Sequence, residues 1–280
     1  MSEPIRPVDD HKILFTDMDG TLFTVDKEVS PYLKDLLYRL VQRGNRLVLS
    51  SGRTQSSIQK AIDRIGLSLP GMFLISTNGN AVYDCDEKRY LFRKTVPMDI
   101  ARGVIDLAHQ YNVHIQSYTD THVVCEYDDP EIALYKKATG MDAIFSSNIM
   151  DTVGKAPAKL LAISLKSRSC LEPLRRDVLA QYGDTITALY SCDEYLEFFD
   201  KTAGKGNAVR YVCEYLNIPL SCAVAVGDAE NDISMLEAAG KGAAMANADQ
   251  QVKRHADFVT QKDNDHDGLA EVLLRFFDLS

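Results

Sequence analysis

The sequence has no excess of positive charge, no paired-cysteine motif, no long apolar run and no internal repeat. Each absence removes a class of function. Acidic side chains outnumber Lys and Arg by 40 to 31, a formal net charge of −9. A surface of that sign argues against nucleic acid or an anionic membrane as the main partner. The six cysteines, Cys85, Cys125, Cys170, Cys192, Cys213 and Cys222, form no C-x-x-C and stand near no histidine at zinc-finger spacing. They read as reduced, mostly buried thiols of a cytoplasmic protein. No stretch approaches the length of a membrane span. The first residues, "MSEPIRPVDDHK", are polar and hold two prolines, unlike a signal peptide.

What is present is ordinary for a globular protein: 280 residues, 45% apolar and 25% charged, enough for two domains. "KILFTD" reads as a buried strand ending at Asp17. "SPYLKDLLYRLVQRG" reads as a helix, with Ser30 as N-cap, Pro31 in the first turn and Gly44 at the stop. "RLVLSS", "TQSSIQKAIDRIG" and "MFLIST" continue the alternation of strand and helix, which predicts a parallel sheet. After "NGNAVYD" the rhythm changes. Strands come in pairs, "HIQSYT" with "HVVCEY" and "TALYS" with "YLEFF", and helices lie between them. The first rhythm returns with "KGNAVRYVCEYLN", "CAVAVGD", "ISMLEAAG", "GAAMA" and "GLAEVLLRFFD". The expected organisation is an α/β domain in two segments, 1–84 and 199–280, interrupted by an α+β domain over 85–198. Linkers near Asp84 and Asp200 would form a hinge.

Chemistry-bearing residues fall at strand ends and helix starts of the α/β part, where open parallel sheets bind ligands. Asp17 and Asp19 follow the first strand, and Ser51, Gly52 and Arg53 the second. Lys205 opens a helix. Asp228 follows "CAVAVG", and Asn231 and Asp232 start the next helix. Four acids in one place require a cation, and oxygen ligands are what Mg²⁺ prefers. Ser51 offers a hydroxyl, Gly52 an N–H and Lys205 a positive charge, all suited to phosphate oxygens. A hard cation, a lysine and a free carboxylate suit phosphoryl transfer.

The ordered set "DMDGT", "SSGR", "KGNAV" and "GDAENDISML" resembles the haloacid dehalogenase (HAD) superfamily of phosphatases. The insertion resembles the large α/β cap (C2B-type) of its Cof-type, subclass IIB members. The resemblance runs from about Lys12 to the last helix. It implies a Rossmann-like parallel-sheet core beneath an α+β cap, and a Mg²⁺-dependent phosphatase of small phosphorylated metabolites such as a sugar phosphate, flavin mononucleotide or pyridoxal phosphate. Asp17 would be the nucleophile that forms an aspartyl-phosphate. Asp19 would be the general acid and then the base, its backbone carbonyl also a metal ligand. Ser51, Gly52, Lys205 and Asn231 would hold phosphate. Asp228 would bind the metal directly, and Asp232 would support it indirectly. Thr21 would orient Asp19. Arg53, Asn78 and Gly79 would stand on the substrate side. Ser51 takes the place of a Thr common in the close families, and either hydroxyl can donate. The unlike environments of Asp17 and Asp19 would separate their pKa values, one ionised to attack and the other able to hold a proton.

Other readings stand beside this one. A phosphosugar mutase would begin with the same step, and a regulator that only binds phosphometabolites would use the same fold. The partner is expected to be a small phosphate ester, with the chain a monomer or homodimer. Ser51 alone could cap the helix after it. "STNGN" could be a plain turn. "KDNDHDG" matches half of an EF-hand loop but has Leu274 at the twelfth position, so it reads as a loop capping the final helix. His114, His122, Tyr118, Glu126 and Glu197 on cap elements could face substrate, with surface or packing roles expected for most of them.

Overall fold

The computed structural model describes residues 11–279. In chain order its elements are β1 (Ile13–Asp17), α1 (Pro31–Gln42), β2 (Arg46–Ser50), α2 (Gln55–Ile65), β3 (Phe73–Ser76), β4 (Ala81–Asp84) and β5 (Arg89–Arg93). Then follow α3 (Met98–Gln110), β6 (His114–Tyr118), β7 (Val123–Cys125), α4 (Pro130–Thr139), β8 (Ala143–Phe145), α5 (Ile149–Val153), β9 (Lys159–Ile163), α6 (Glu172–Tyr182), β10 (Ile186–Cys192) and β11 (Tyr195–Asp200). The chain ends with α7 (Lys205–Tyr215), β12 (Ala223–Gly227), α8 (Ile233–Ala238), β13 (Lys241–Ala244), α9 (Gln250–Lys253), β14 (Phe258–Val259) and α10 (Gly268–Phe276).

Two sheets organise these elements. The core sheet has the order β14-β13-β12-β1-β2-β3-β4-β5. Its strands from β14 to β3 are parallel, and β4 and β5 add an antiparallel edge. β1 is buried along its whole length because helices cover both faces. Its residues alternate accordingly. Leu14 packs with Leu36, Leu40 and Leu273 of α1 and α10, while Ile13 and Phe15 pack with Val209 and Val212 of α7 and Leu236 of α8. The second sheet, β10-β11-β9-β6-β7-β8, is the cap. Its pairs are antiparallel except β7–β8. Leu160 and Ala162 of β9 face a cluster with α3 and α6, and Leu161 and Ile163 face the other way, toward Ile132 and Tyr135 of α4.

The helix signals act as read. Ser30 Oγ accepts from Leu33 N–H at 3.0 Å, and Gly44 takes the left-handed conformation just past α1. Two boundaries move. The expected break after residue 84 falls inside the core sheet, because β5 pairs with β4 and carries the core to Arg93. The left-handed residues Thr77, Asn78 and Gly79 turn the chain back on itself, which is why β4 runs antiparallel. At the far end β11 keeps its pairing with β10 to Asp200, beyond 198. β9, central in the cap, was not among the predicted strands.

Other expectations are corrected as well. Cys125 and Cys213 are buried, but Cys170 and Cys192 are exposed; all six thiols are free. The "KDNDHDG" loop gives α10 no side-chain cap. Instead Asp265 accepts from Val25 N–H at 2.7 Å, Asn264 donates to Phe23 C=O at 2.8 Å, and Asp267 accepts from Ser30 Oγ at 2.6 Å. The loop clamps the segment after β1. No helix of the described residues is long and apolar enough to cross a membrane.

Candidate active site

The carboxyl ends of β1, β2 and β12 and the start of α7 meet at one edge of the core sheet. Lys205, the first residue of α7, is fully buried. Its Nζ donates to Asp17 Oδ1 and Asp232 Oδ1, each at 2.5 Å. A lysine in that position is no solvated surface charge. The other oxygen of Asp232 accepts from the N–H groups of Asp228 and Ala229 at 3.0 and 3.1 Å. Asp232 therefore fixes the loop that carries Asp228. Thr21 Oγ1 donates to Asp228 Oδ1 at 2.8 Å. This corrects the role expected for Thr21, which orients Asp228 rather than Asp19. Gly20 makes the approach possible: it has φ +84°, and a Cβ there would lie 2.3 Å from Asp228 Oδ2.

Asp17, Asp228 and Asp232 each bring a carboxylate oxygen within 4.8 Å of the others. Lys205 is the one cation in contact with Asp17 and Asp232 among the described residues. With all three acids ionised, two negative charges stay uncompensated, which is the charge of one divalent cation. Burial pushes the Asp17 carboxyl well above its ordinary value; Lys205 opposes this, while Asp232 and Asp228 add to it. Burial, with Asp232 beside it, also lifts Asp228 to about 7. A divalent cation would reverse both effects. The donor set, all oxygen, fits Mg²⁺.

Asp19 sits differently. Its carboxylate accepts from Arg53 Nε at 2.7 Å and Nη2 at 2.6 Å, a two-pronged pair, and from Lys27 Nζ at 2.9 Å. Burial works to raise its pKa, but Arg53 and Lys27 outweigh burial and hold it below the ordinary value. Without a metal the two acids are separated, in the order opposite to the one expected for the metal-loaded site. Asp19 is the one held ionised, because Arg53 and Lys27 belong to it and not to Asp17.

The end of the second strand carries groups able to donate to an anion. Ser51 is not the cap of α2; Thr54 is, its Oγ1 accepting from Ser57 N–H at 3.3 Å. Ser51 Oγ accepts from Arg53 N–H at 3.2 Å. Gly52 N–H has no protein acceptor among the described residues. Asn231 Nδ2 donates to Asn78 Oδ1 at 2.9 Å, joining the fourth motif to the loop after β3. Asn231 Oδ1 and Asn78 Nδ2 are buried without a protein partner. Gly79 packs elsewhere: a Cβ there would strike the Gly204 backbone at 2.3 Å, so it seats the start of α7 rather than lining the mouth.

The cap closes the site. A cleft of ≈ 270 Å³ lies between Asp17, Asp19, Ser51 and Gly52 below and Tyr135, Lys159, Tyr195 and Glu197 above. Lys159 Nζ donates to Gly52 C=O and to Glu197 Oε2, both at 2.6 Å. Arg168 of the cap reaches Glu230, next to Asn231, at 2.9 Å. Sequence reasoning gave Lys159, Lys27 and Arg168 no role. The signal for Lys159 was the one that exposed Asp17: a charge set in an apolar run, here "KLLAI". Glu197 proves to line the cleft. Glu126 pairs with His109, His114 with Asp129, and His122 with Thr121, none of which lines the cleft.

A haloacid dehalogenase-like hydrolase family model matches residues 14–273. The chain belongs to that family. It is an enzyme, a phosphatase of the Cof-type branch. It is 27% identical to a haloacid dehalogenase-like hydrolase from Bacteroides thetaiotaomicron of known structure, with a TM-score of 0.85 over 95% of this chain and 99% of that one. It is 26% identical to phosphatase YwpJ of Bacillus subtilis, over 94% of this chain and 98% of the relative. It is also 26% identical to 5-amino-6-(5-phospho-D-ribitylamino)uracil phosphatase YitU of the same organism, over 95% of this chain and 98% of the relative.

Proposed function

We propose that this phosphatase is Mg²⁺-dependent, acts on small phosphorylated metabolites in the cytoplasm, and works through a phosphoryl group carried on Asp17. One observation carries the reading. Asp17 is held at one oxygen by a fully buried lysine, and its other oxygen has no protein donor among the described residues and stands at the floor of the cleft.

The residues divide the work. The Asp17 carboxylate attacks phosphorus, and the bond from phosphorus to the leaving oxygen breaks. Once Arg53 and Lys27 loosen their hold, Asp19 takes a proton from solvent and passes it to that oxygen. Asp19 then takes a proton from water, whose oxygen attacks the phosphorus on Asp17, releasing inorganic phosphate and restoring the carboxylate. Ser51, the Gly52 N–H, Asn231 and Lys205 bind the phosphoryl oxygens through both steps. Asp17, the Asp19 carbonyl and Asp228 would hold Mg²⁺, which supplies positive charge against the transferring group. The cap excludes bulk water. The named substrate of YitU, a phosphorylated ribityl compound, is of the small-metabolite kind that such a cleft admits.

The test is phosphate release from a panel of phosphate esters, with Mg²⁺ and with chelator, beside Asp17→Asn. Release that requires both Mg²⁺ and Asp17 supports the reading. Transfer between sugar positions without free phosphate would favour a mutase, and binding without turnover a regulator.

A further inference from the structure

The roof of the cleft contains a pair of charges that the proposed chemistry does not use. Lys159 and Glu197 are 2% and 3% exposed and lie on adjacent antiparallel strands, β9 and β11. Glu197 is opposite Leu161, so Lys159 and Glu197 are diagonal neighbours on the face turned toward the core. Burying such a pair is expensive, and an apolar pair of similar volume is often as stable or more so. Stability alone does not explain its presence.

The pair has unused bonding capacity, and both residues line the cleft. Lys159 spends two of its donors, on Gly52 C=O and on Glu197 Oε2, and its ammonium lies 5.3 Å from the Tyr118 ring centre. Glu197 Oε1 has no protein donor among the described residues. It hangs over Gly52, where an added Cβ would come within 3.0 Å of it. An acceptor with no donor and an ammonium with a third N–H therefore stand side by side above the phosphate cradle. A hydroxyl matches both, since it donates and accepts. A hydrocarbon or flat aromatic group would leave both charges buried against it without hydrogen bonds, which sites of this kind reject strongly. The size agrees: ≈ 270 Å³ is below the range of about 300–1,000 Å³ usual for drug-sized ligands.

We infer that Glu197 reads a hydroxyl on the leaving group, with Lys159 as the positioning residue that holds Glu197 and ties the cap to the Gly52 loop, so that the enzyme prefers polyhydroxylated phosphate esters. This rests on the phosphatase reading above and narrows its substrate.

The experiment compares ribitol 5-phosphate with n-pentyl phosphate, equal in chain length and different in hydroxyls. The readout is the ratio of their kcat/KM values in wild type, in Glu197→Gln, and in Lys159→Met combined with Glu197→Leu. The double variant removes both charges together, so no lone buried charge threatens the fold. Wild type is expected to favour the ribitol ester at least about tenfold, and Glu197→Gln to lower the ratio about fivefold by weakening a charge-assisted bond. The double variant lowers the ratio further. A ratio unchanged from wild type in both variants overturns the inference, as does a wild type that prefers the pentyl ester. A wild type that releases phosphate from other esters of the panel but from neither of these two also overturns the inference, whereas release that is independent of Asp17 overturns the reading it rests on.

Discussion

Replacing Lys205 with methionine tests the electrostatic plan of the site without any substrate. Lys205 Nζ is fully buried and spans Asp17 and Asp232 at 2.5 Å each. The substitution keeps the apolar stem and removes the charge, leaving three neighbouring acids without that cation. Breaking a buried pair by removing one partner costs about 3–5 kcal/mol. At about 2–4 °C per kcal/mol for chains near this size, the melting temperature should fall by roughly 10 °C in chelator at pH 7.5. The deficit should shrink at pH 5, because Asp17, already pushed up by burial, then takes a proton. It should also shrink on adding Mg²⁺ at pH 7.5. Melting curves in chelator and in Mg²⁺ at the two pH values make the test. A variant that melts with wild type in chelator at pH 7.5 would refute the reasoning, since the lysine would then not be offsetting the acids.

Three further predictions follow from the same geometry. In metal-free protein, Asp17 is raised and Asp228 is lifted to about 7, so between about pH 4 and 7 the folded state binds protons that the unfolded chain has released. That contribution to stability is present at low pH and is lost as pH rises through the folded pKa values. The gain in melting temperature from Mg²⁺ should therefore grow from pH 5 to pH 8, and an equal gain at every pH would count against the metal site. Gly20→Ala forces a Cβ against Asp228 at φ +84°, and should lower kcat at least about a hundredfold, as ångström-scale misplacement does; steady-state rates at saturating Mg²⁺ measure this. Arg168→Ala breaks a half-exposed link from cap to core worth about 0–1 kcal/mol, so melting should hardly move. Its kcat/KM should fall about two- to threefold at low salt and rejoin wild type at high salt, where such pairs are screened.

The core was legible because its signals are local. The run "ILFTD" gives a strand that ends in an acid, "SPYL" gives a capped helix, and four motifs fall at the ends of elements that a parallel sheet brings to one edge. The cap was less legible because it is made by long-range pairing. β9 sits between β11 and β6 in the sheet, about 30 residues before the one and about 40 after the other along the chain, and nothing near "KLLAI" announces those partners. The order of the Asp17 and Asp19 pKa values in the metal-free site was illegible in sequence for a related reason. It depends on Arg53 reaching Asp19 from the segment after β2, on Lys27 folding back to it, and on Lys205 reaching Asp17 from 188 residues away. Thr21 shows the limit at short range: two residues from Asp19 in sequence, it bonds to Asp228 across the site.

The central claim is that the phosphoryl group rests on Asp17 between the two steps. Rapid quenching of the enzyme in mid-turnover, reduction with borohydride and peptide mass analysis would test it directly. An acyl phosphate is reduced to an alcohol where a free carboxylate is not. The account predicts a reduced residue at position 17, formed only with Mg²⁺ and substrate and absent from Asp17→Asn. A turning-over enzyme with no reduced residue at 17, or with the mark on another carboxylate, would contradict it.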